Sequence, residues 1–388
     1  MTRLVEIHGV CDSAFSGVRD AFEDNFEQRG ELGAAVTVLA GGRTVVDLWA
    51  GHADAARTRS WDQDTLVNVW STTKGVVALC AHMLVDRGLL DLDTPVAKYW
   101  PEFADAGKAG MPVRHLLCHR AGLAGLREPH SIADVCDWEL TTGRLAATEP
   151  WWEPGTVSGY HACTWGHLVG EVIRRVSGRL PGDFLRDNVT GPLGIDFHIG
   201  LPSSEHGRVA ELVQPPAPGG SEIAEMFARL HPAAVAALTN PILTAADGNT
   251  PTWRRAQVPA ANGHGTARAV AALYGIAAFG GRYDDHQVLG AAAVEQAREG
   301  QGSCVDLVLG AGLGGAEMEF ALGFGLGGPR GSYGPNPRAF GHDGYGGSCG
   351  FADPENGIAA GYVMNRMGPL IMDDPRKMAL VEAVYAAL

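Results

Sequence analysis

Hydrophobic and polar positions recur along this chain in two rhythms, and the change of rhythm divides it into regions. Near the amino terminus, residues 34–40 and 44–50 are β-prone runs on either side of Gly41-Gly42, a two-residue turn that reverses a chain tightly. The spacing then lengthens. Val76, Val77, Leu79, Cys80, Met83 and Leu84 recur at helical intervals and stop at Gly88, which predicts a helix. Residues 89–103 carry Pro95 and Pro101 and read as irregular. Helical patterns at 113–118, 132–142, 163–177 and 183–189 fill the middle, and another covers 266–278. Residues 214–221 (Gln-Pro-Pro-Ala-Pro-Gly-Gly-Ser) form a loop by composition. The weak pattern from there to about Ala260 predicts a long loop of the sort that walls a pocket.

After Ala321 the texture changes to glycine-rich strands at 322–326, 339–342, 348–352 and 358–364, with Asp353-Pro-Glu-Asn-Gly357 turning between the last two. An amphipathic helix over 375–388 follows. Strands at both ends with helices between them predict an α/β (α+β) fold. Its central antiparallel sheet is built from both termini and flanked by helices, and a mostly helical lobe is inserted in the middle. The expected division is an α/β domain from 1–100 and 310–388, and a mostly helical domain with long pocket-forming loops from 101–309.

Composition narrows the function classes. A chain of 388 residues buries a large core, and its size favours two lobes over one. With 46% hydrophobic and 19% charged residues it is an ordinary globular protein rather than a disordered one. A formal net charge of -14 repels polyanions and argues against nucleic acid as a partner. No stretch approaches about 18 uninterrupted apolar residues, so no membrane span is expected. The amino terminus shows no apolar run of signal-peptide length. Seven cysteines without a CxxC pair argue against a disulfide framework, and reduced thiols in the cytoplasm are expected. Only four lysines stand against 26 arginines, so a lysine at a motif position stands out.

One such lysine closes the tetrad Ser71-Thr72-Thr73-Lys74 at the start of the first predicted helix. Residues three apart share a helix face, so the amine of Lys74 can lie beside the hydroxyl of Ser71. A serine becomes a nucleophile when a neighbouring base takes its proton, and a lysine serves only if its pKa falls well below its ordinary value. The helix start also favours negative charge developing near Ser71. Spacing alone favours an N-cap serine with a surface lysine, and it takes further segments to reverse that reading.

Two other patterns carry less. Gly346-Gly347-Ser348-Cys349-Gly350 matches G-x-S-x-G, the nucleophile elbow of another hydrolase architecture. An elbow needs a helix directly after the serine, whereas the residues from Phe351 read as strand, turn, strand. It also needs a later histidine, and His342 is the last in the chain. His115 and His119 have the spacing of metal ligands but lack a second cluster, so no metal site is assigned.

The motifs together resemble the serine β-lactamase/penicillin-binding-protein superfamily, specifically the class C β-lactamase-like branch that includes family VIII carboxylesterases. The resemblance covers roughly residues 15–385. It is carried by Ser71-Thr-Thr-Lys74, Leu89-Leu-Asp-Leu-Asp-Thr-Pro95, the run from Val113 to Leu123, Tyr160 with its following helix, and Gly341-His-Asp-Gly-Tyr-Gly-Gly347. The closing strands, Gly350-Phe-Ala-Asp-Pro and Gly361-Tyr-Val-Met-Asn365, match as well. The resemblance implies a β-lactamase-like fold and a cofactor-free acyl transfer through a serine acyl-enzyme. It implies that Tyr160 shares proton transfer with Lys74, and that the N–H groups of Ser71 and Tyr345 form an oxyanion hole. His342-Asp343-Gly344 takes the place of the family's Lys-Thr-Gly, so His342 joins the catalytic set and Gly344 borders the substrate. The family's Tyr-x-Asn becomes Tyr160-His161-Ala162, without the asparagine that contacts a β-lactam or peptide amide.

A neutral histidine attracts a carboxylate less than a lysine would, and with Ala162 this tilts the expected substrate toward small-molecule esters. Trp151 and Trp152 are candidates for lining the acyl or alcohol pocket, and Trp152 is the one assigned to substrate binding. Three alternatives to a carboxylesterase remain at this level. They are a transacylase of natural-product assembly, a β-lactamase or D-amino-acid peptidase, and a catalytically silent binding or sensor domain.

Overall fold

The computed structural model describes residues 5–215, 230–310, 314–328 and 331–388. Its centre is a seven-stranded sheet. The strands are β1 (Ile7–Cys11), β2 (Gly33–Ala40), β3 (Arg43–Gly51), β4 (Gly325–Leu326), β5 (Phe340–Asp343), β6 (Cys349–Asp353) and β7 (Ile358–Met364). They lie in the order β1-β3-β2-β7-β6-β5-β4, and every neighbouring pair is antiparallel. The amino-terminal hairpin therefore meets the carboxy-terminal meander at the β2–β7 pair, and the sheet draws on both ends of the chain.

Period-two alternation sorts the side chains of these strands between two cores. Ala34, Val36 and Val38 of β2, with Ile358, Ala360, Tyr362 and Met364 of β7, join Val18 and Phe22 of helix α1 (Ser16–Gln28) on one face. Leu380, Val381 and Val384 of the last helix complete that layer. The opposite face holds the larger core, with helix α2 (Thr73–Asp86), helix α3 (Thr164–Ser177) and helix α4 (Ala267–Ala278). The last helix, α5 (Pro375–Tyr385), is capped by Asp374, whose side chain accepts from the Arg376 amide.

Helix α4 lies flush on the sheet because two strand residues facing it have no side chain. A Cβ on Gly361 would stand 2.5 Å from the Ala267 carbonyl oxygen, and one on Gly350 would stand 2.4 Å from the Tyr274 ring. This close approach brings the Tyr274 hydroxyl to the Thr72 carbonyl at 2.9 Å, so the sheet's packing helix also braces the start of α2.

Several expectations change. Strand β1 and helix α1 carry no strong pattern, because β1 is largely exposed and only Val18, Phe22 and Asn25 of α1 are buried. The helix expected over 132–142 is two helices, Ile132–Cys136 and Trp138–Ala147, and the second begins at the Asp137 cap. The expected strand over 322–326 shortens to β4. The long loop expected up to Ala260 is overturned for the described part, residues 230–260. It folds into short helices Pro232–Thr239, Ala245–Gly248 and Pro251–Arg255, each with a side-chain cap at His231, Thr244 or Thr250. Residues 216–221 of the expected loop lie outside the described residues. No helix among the described residues is long and apolar enough to cross a membrane.

Candidate active site

Ser71 stands on the turn that leads into α2, and the turn is held from several sides. The strand Val67–Asn68 pairs with Gly263–Gly265, and the Val69 amide continues the contact to the Gly263 carbonyl at 2.8 Å. Trp70 then takes φ 47°, a left-handed backbone that a bulky residue adopts only when its surroundings enforce it. Those surroundings are Trp253 and Tyr345, whose rings lie 5.8 and 6.0 Å from its own. Thr73 Oγ1 donates to the Trp70 carbonyl at 2.5 Å and accepts from the Gly263 amide at 2.9 Å. The result presents a half-buried Ser71 at the helix start.

Lys74 Nζ lies 3.0 Å from Ser71 Oγ, 2.8 Å from the Ala162 carbonyl oxygen and 3.0 Å from the Ala260 carbonyl oxygen. The side chain is fully buried, and burial draws the amine down from 10.5 to about 7. A neutral amine has two hydrogens and one lone pair. Two carbonyls take the hydrogens, which leaves the lone pair for the Ser71 hydroxyl.

Tyr160 joins this pair from the loop before α3. Its hydroxyl is close enough to Ser71 to feel that side chain, and Lys74 Nζ sits 4.9 Å from the centre of its ring. Burial pushes the phenol pKa up, so the group is protonated at neutral pH. The ring is held by His119 at 4.8 Å and Phe320 at 6.1 Å between centroids. The backbone is pinned as well: the Tyr160 amide donates to Asp306 Oδ1 at 2.9 Å, and the His161 amide donates to His119 Nδ1 at 3.0 Å. His161 Nδ1 donates to the Gly159 carbonyl at 2.6 Å, while its Nε2 accepts from the Leu123 amide at 3.0 Å. That arrangement fixes one neutral tautomer, and burial holds the ring's pKa down to about 3.

His342 faces the same centre from β5. Its ring lies 6.0 Å from that of Tyr160, and Nδ1 donates to the Asp343 carbonyl at 2.9 Å. Nε2 is buried without a partner among the described residues, and burial with the nearby Lys74 charge lowers the imidazole to about 3. The position is therefore occupied by an uncharged ring. Asp343 points to the far side, where its Oδ2 pairs with Lys377 Nζ at 3.1 Å.

The turn after β5 carries Tyr345. The Gly344 carbonyl accepts from the Gly347 amide at 3.0 Å, and a trans peptide then aims the Tyr345 N–H the opposite way. Arg376 Nη2 secures the turn by donating to the Gly346 carbonyl at 2.8 Å. Neither the Ser71 amide nor the Tyr345 amide donates to another described residue. A Cβ on Gly344 would stand 2.1 Å from Ser348 Oγ and 2.2 Å from the Val69 carbonyl oxygen, so Gly344 lies against the turn that carries Ser71.

Ser348 occupies the same seam. Its buried hydroxyl donates to the Val69 carbonyl at 2.8 Å and lies 3.1 Å from Thr72 Oγ1, and the chain after it is strand β6. Trp152 is one ring removed from the centre. It meets His161 edge-on at 5.9 Å and donates to the Val157 carbonyl at 3.1 Å. Trp151 donates to the Gly125 carbonyl at 2.7 Å and lies under Arg127.

Sequence reasoning passed over Asp306, Phe320 and the two carbonyls that hold Lys74, and it assigned His119 no site. Asp306 is followed at two and three residues by amides that it accepts, a local pattern visible in retrospect, but its contact with Tyr160 spans 146 residues.

Comparison with known proteins identifies the family. The Beta-lactamase family model matches residues 18–385. The chain is similar to an esterase/beta-lactamase, LipL, of Mycobacterium tuberculosis, with 36% identity over 387 residues covering 95% of this chain and 85% of that protein. A crystal structure of a family VIII carboxylesterase is 43% identical with a TM-score of 0.92, covering 99% of this chain and 100% of its own. A penicillin-binding protein homolog from Caulobacter crescentus is also 43% identical, with a TM-score of 0.91 and coverage of 99% and 100%.

Proposed function

The chain belongs to the beta-lactamase family, and from that premise we propose a serine carboxylesterase that works through an acyl-enzyme on Ser71. The observation that carries the reading is the buried Lys74 amine, 3.0 Å from Ser71 Oγ with both its hydrogens engaged by carbonyls. A base of pKa about 7 is matched to work at neutral pH.

Lys74 takes the Ser71 proton as Oγ bonds to the ester carbonyl carbon. The charge that develops on the carbonyl oxygen is met by the N–H groups of Ser71 and Tyr345, a pair of donors of the kind worth a few kcal/mol each in the transition state. As the tetrahedral intermediate collapses, the bond to the alcohol oxygen breaks and that oxygen takes the Tyr160 proton, which Tyr160 recovers from the Lys74 ammonium. Water then repeats the sequence: it loses a proton to the same relay, attacks the acyl carbon, and Ser71 leaves reprotonated. This refines the shared role of the two side chains, because a phenol protonated at rest is the acid and the neutral amine is the base.

Esters with uncharged acyl groups fit best. The neutral His342 and the side chain of Ala162 offer neither a cation for a carboxylate nor an amide for a peptide, which disfavours β-lactams and D-peptides. The two-lobe division, 1–100 with 310–388 against 101–309, belongs to the same reading with one change: α4 lies within 101–309 but packs on the sheet, so it is assigned to the first lobe. Seven free cysteines support a reducing compartment, the cytoplasm.

The test is a panel of p-nitrophenyl esters of varied chain length, with labelling by a fluorophosphonate mapped by mass spectrometry. Ser71→Ala should abolish both turnover and label, while Ser348→Ala keeps the label. Label on Ser348, or turnover surviving in Ser71→Ala, would overturn the assignment.

A further inference from the structure

Asp306 follows the short strand Cys304–Val305, is almost fully buried, and has no cationic partner among the described residues. Its carboxylate is instead filled by neutral donors. Oδ1 accepts from the amides of Tyr160, Val308 and Leu309, each at 2.9 Å, and Oδ2 accepts from the Ser158 hydroxyl at 2.7 Å. The Leu307 amide adds a backbone bond to the Ser158 carbonyl at 2.9 Å. One side chain thus ties the 304–310 segment to the loop that delivers Tyr160, at residues on both sides of Gly159.

A buried carboxylate is an expensive anchor for a loop, and it is kept where geometry has to be narrow. The group whose geometry it sets is the Tyr160 hydroxyl, which must face Ser71 and the departing alcohol together. We propose that Asp306 is a positioning residue: through the Tyr160 amide and the Ser158 hydroxyl it holds the phenol where it can protonate the leaving alkoxide. Asp306 touches neither substrate nor the reacting atoms. The inference rests on the proton-donating role given to Tyr160 above.

That role makes a prediction that loss of stability does not. An alkoxide needs a proton in order to leave, whereas p-nitrophenolate departs without one. A misplaced phenol therefore harms alkyl esters selectively. Asp306→Ala should lower kcat/KM for an alkyl ester on the order of a hundredfold, and for the p-nitrophenyl ester of the same acid by less than about fivefold. Asp306→Asn should restore both to within about threefold of the native enzyme. Its amide oxygen can take the three N–H groups while its NH2 donates to a Ser158 hydroxyl turned to accept. If Asp306→Ala does not fold by circular dichroism, Ser158→Ala removes one of the two anchors and should show the same bias toward alkyl-ester loss, about fivefold.

Equal losses on the two ester types, or no loss on either, would overturn the inference. Tyr160→Phe separates it from the reading beneath it. If Tyr160→Phe shows no leaving-group bias, the donor role of Tyr160 falls. If Tyr160→Phe shows the bias and the Asp306 and Ser158 variants do not, the Asp306 inference alone falls.

Discussion

Replacing Lys74 with methionine separates the two consequences of burying an amine. Burial moves Lys74 from 10.5 to about 7, which at about 1.4 kcal/mol per pH unit is about 5 kcal/mol of preference for the neutral form. The sign follows from proton counts. Between about pH 7 and 10.5 the unfolded chain holds a proton on this residue that the native protein has lost, so native stability rises with pH across that window. Against Lys74→Met, the native protein should gain about 2 kcal/mol between pH 7 and 9, and almost nothing between 5 and 6. The variant also leaves the Ala162 and Ala260 carbonyls without their donor, a loss that is the same at every pH and drops out of the slope. Urea denaturation of both proteins at each pH measures this difference. The same pKa should appear in kinetics: kcat/KM rises through an acid limb near pH 7, with about a tenth of the amine free at pH 6. Lys74→Met should lose on the order of a thousandfold in turnover. A stability difference flat from pH 7 to 9, or a limb near 5 or above 9, would refute the claim that a neutral Lys74 is the base.

Two other substitutions probe the walls of the site. His342→Lys places an ammonium beside Lys74; it should move the acid limb below 7 and improve kcat/KM for a carboxylate-bearing ester relative to its neutral analogue about tenfold, and an unchanged ratio would contradict the role given to that position. Gly344→Ala drives a Cβ to 2.1 Å from Ser348 Oγ and 2.2 Å from the Val69 carbonyl oxygen, so a loss of about 1–3 kcal/mol in urea and a more than tenfold fall in kcat are expected.

What could be read from the sequence was local or periodic. The β2–β3 hairpin, α2, α3, α4 and the carboxy-terminal strands all show their pattern within a few residues, and Ser71 with Lys74 needs only one helical turn. What was hidden is non-local or lies in the backbone. The carbonyls of Ala162 and Ala260 hold the Lys74 amine, yet a carbonyl leaves no trace in residue identity. Lysine scarcity did not single out Lys74 either. Lys108 is just as buried, and it donates to the carbonyls of Asp105, Ala146 and Thr148 at 2.8, 2.9 and 2.7 Å as a structural clamp. The residues at 230–260 read as loop because each helix there is too short to show a period, while its caps are single side chains.

The groups around Ser71 share one property: none carries a full charge at neutral pH. Burial keeps His119, His161 and His342 unprotonated and Tyr160 protonated, and frees about half of the Lys74 amines of their proton at pH 7. The two nearby carboxylates are already committed, Asp343 to Lys377 and Asp306 to neutral donors. When the ester is attacked, an ammonium appears on Lys74 and an oxyanion on the substrate, and in a dry site the strongest partner for each is the other. That attraction exists only along the reaction path, so it lowers the barrier without tightening the binding of the ester. An anionic substrate reverses the logic. Its carboxylate pairs with the ammonium before the chemistry begins, holds the proton on Lys74 and removes the base from the reaction.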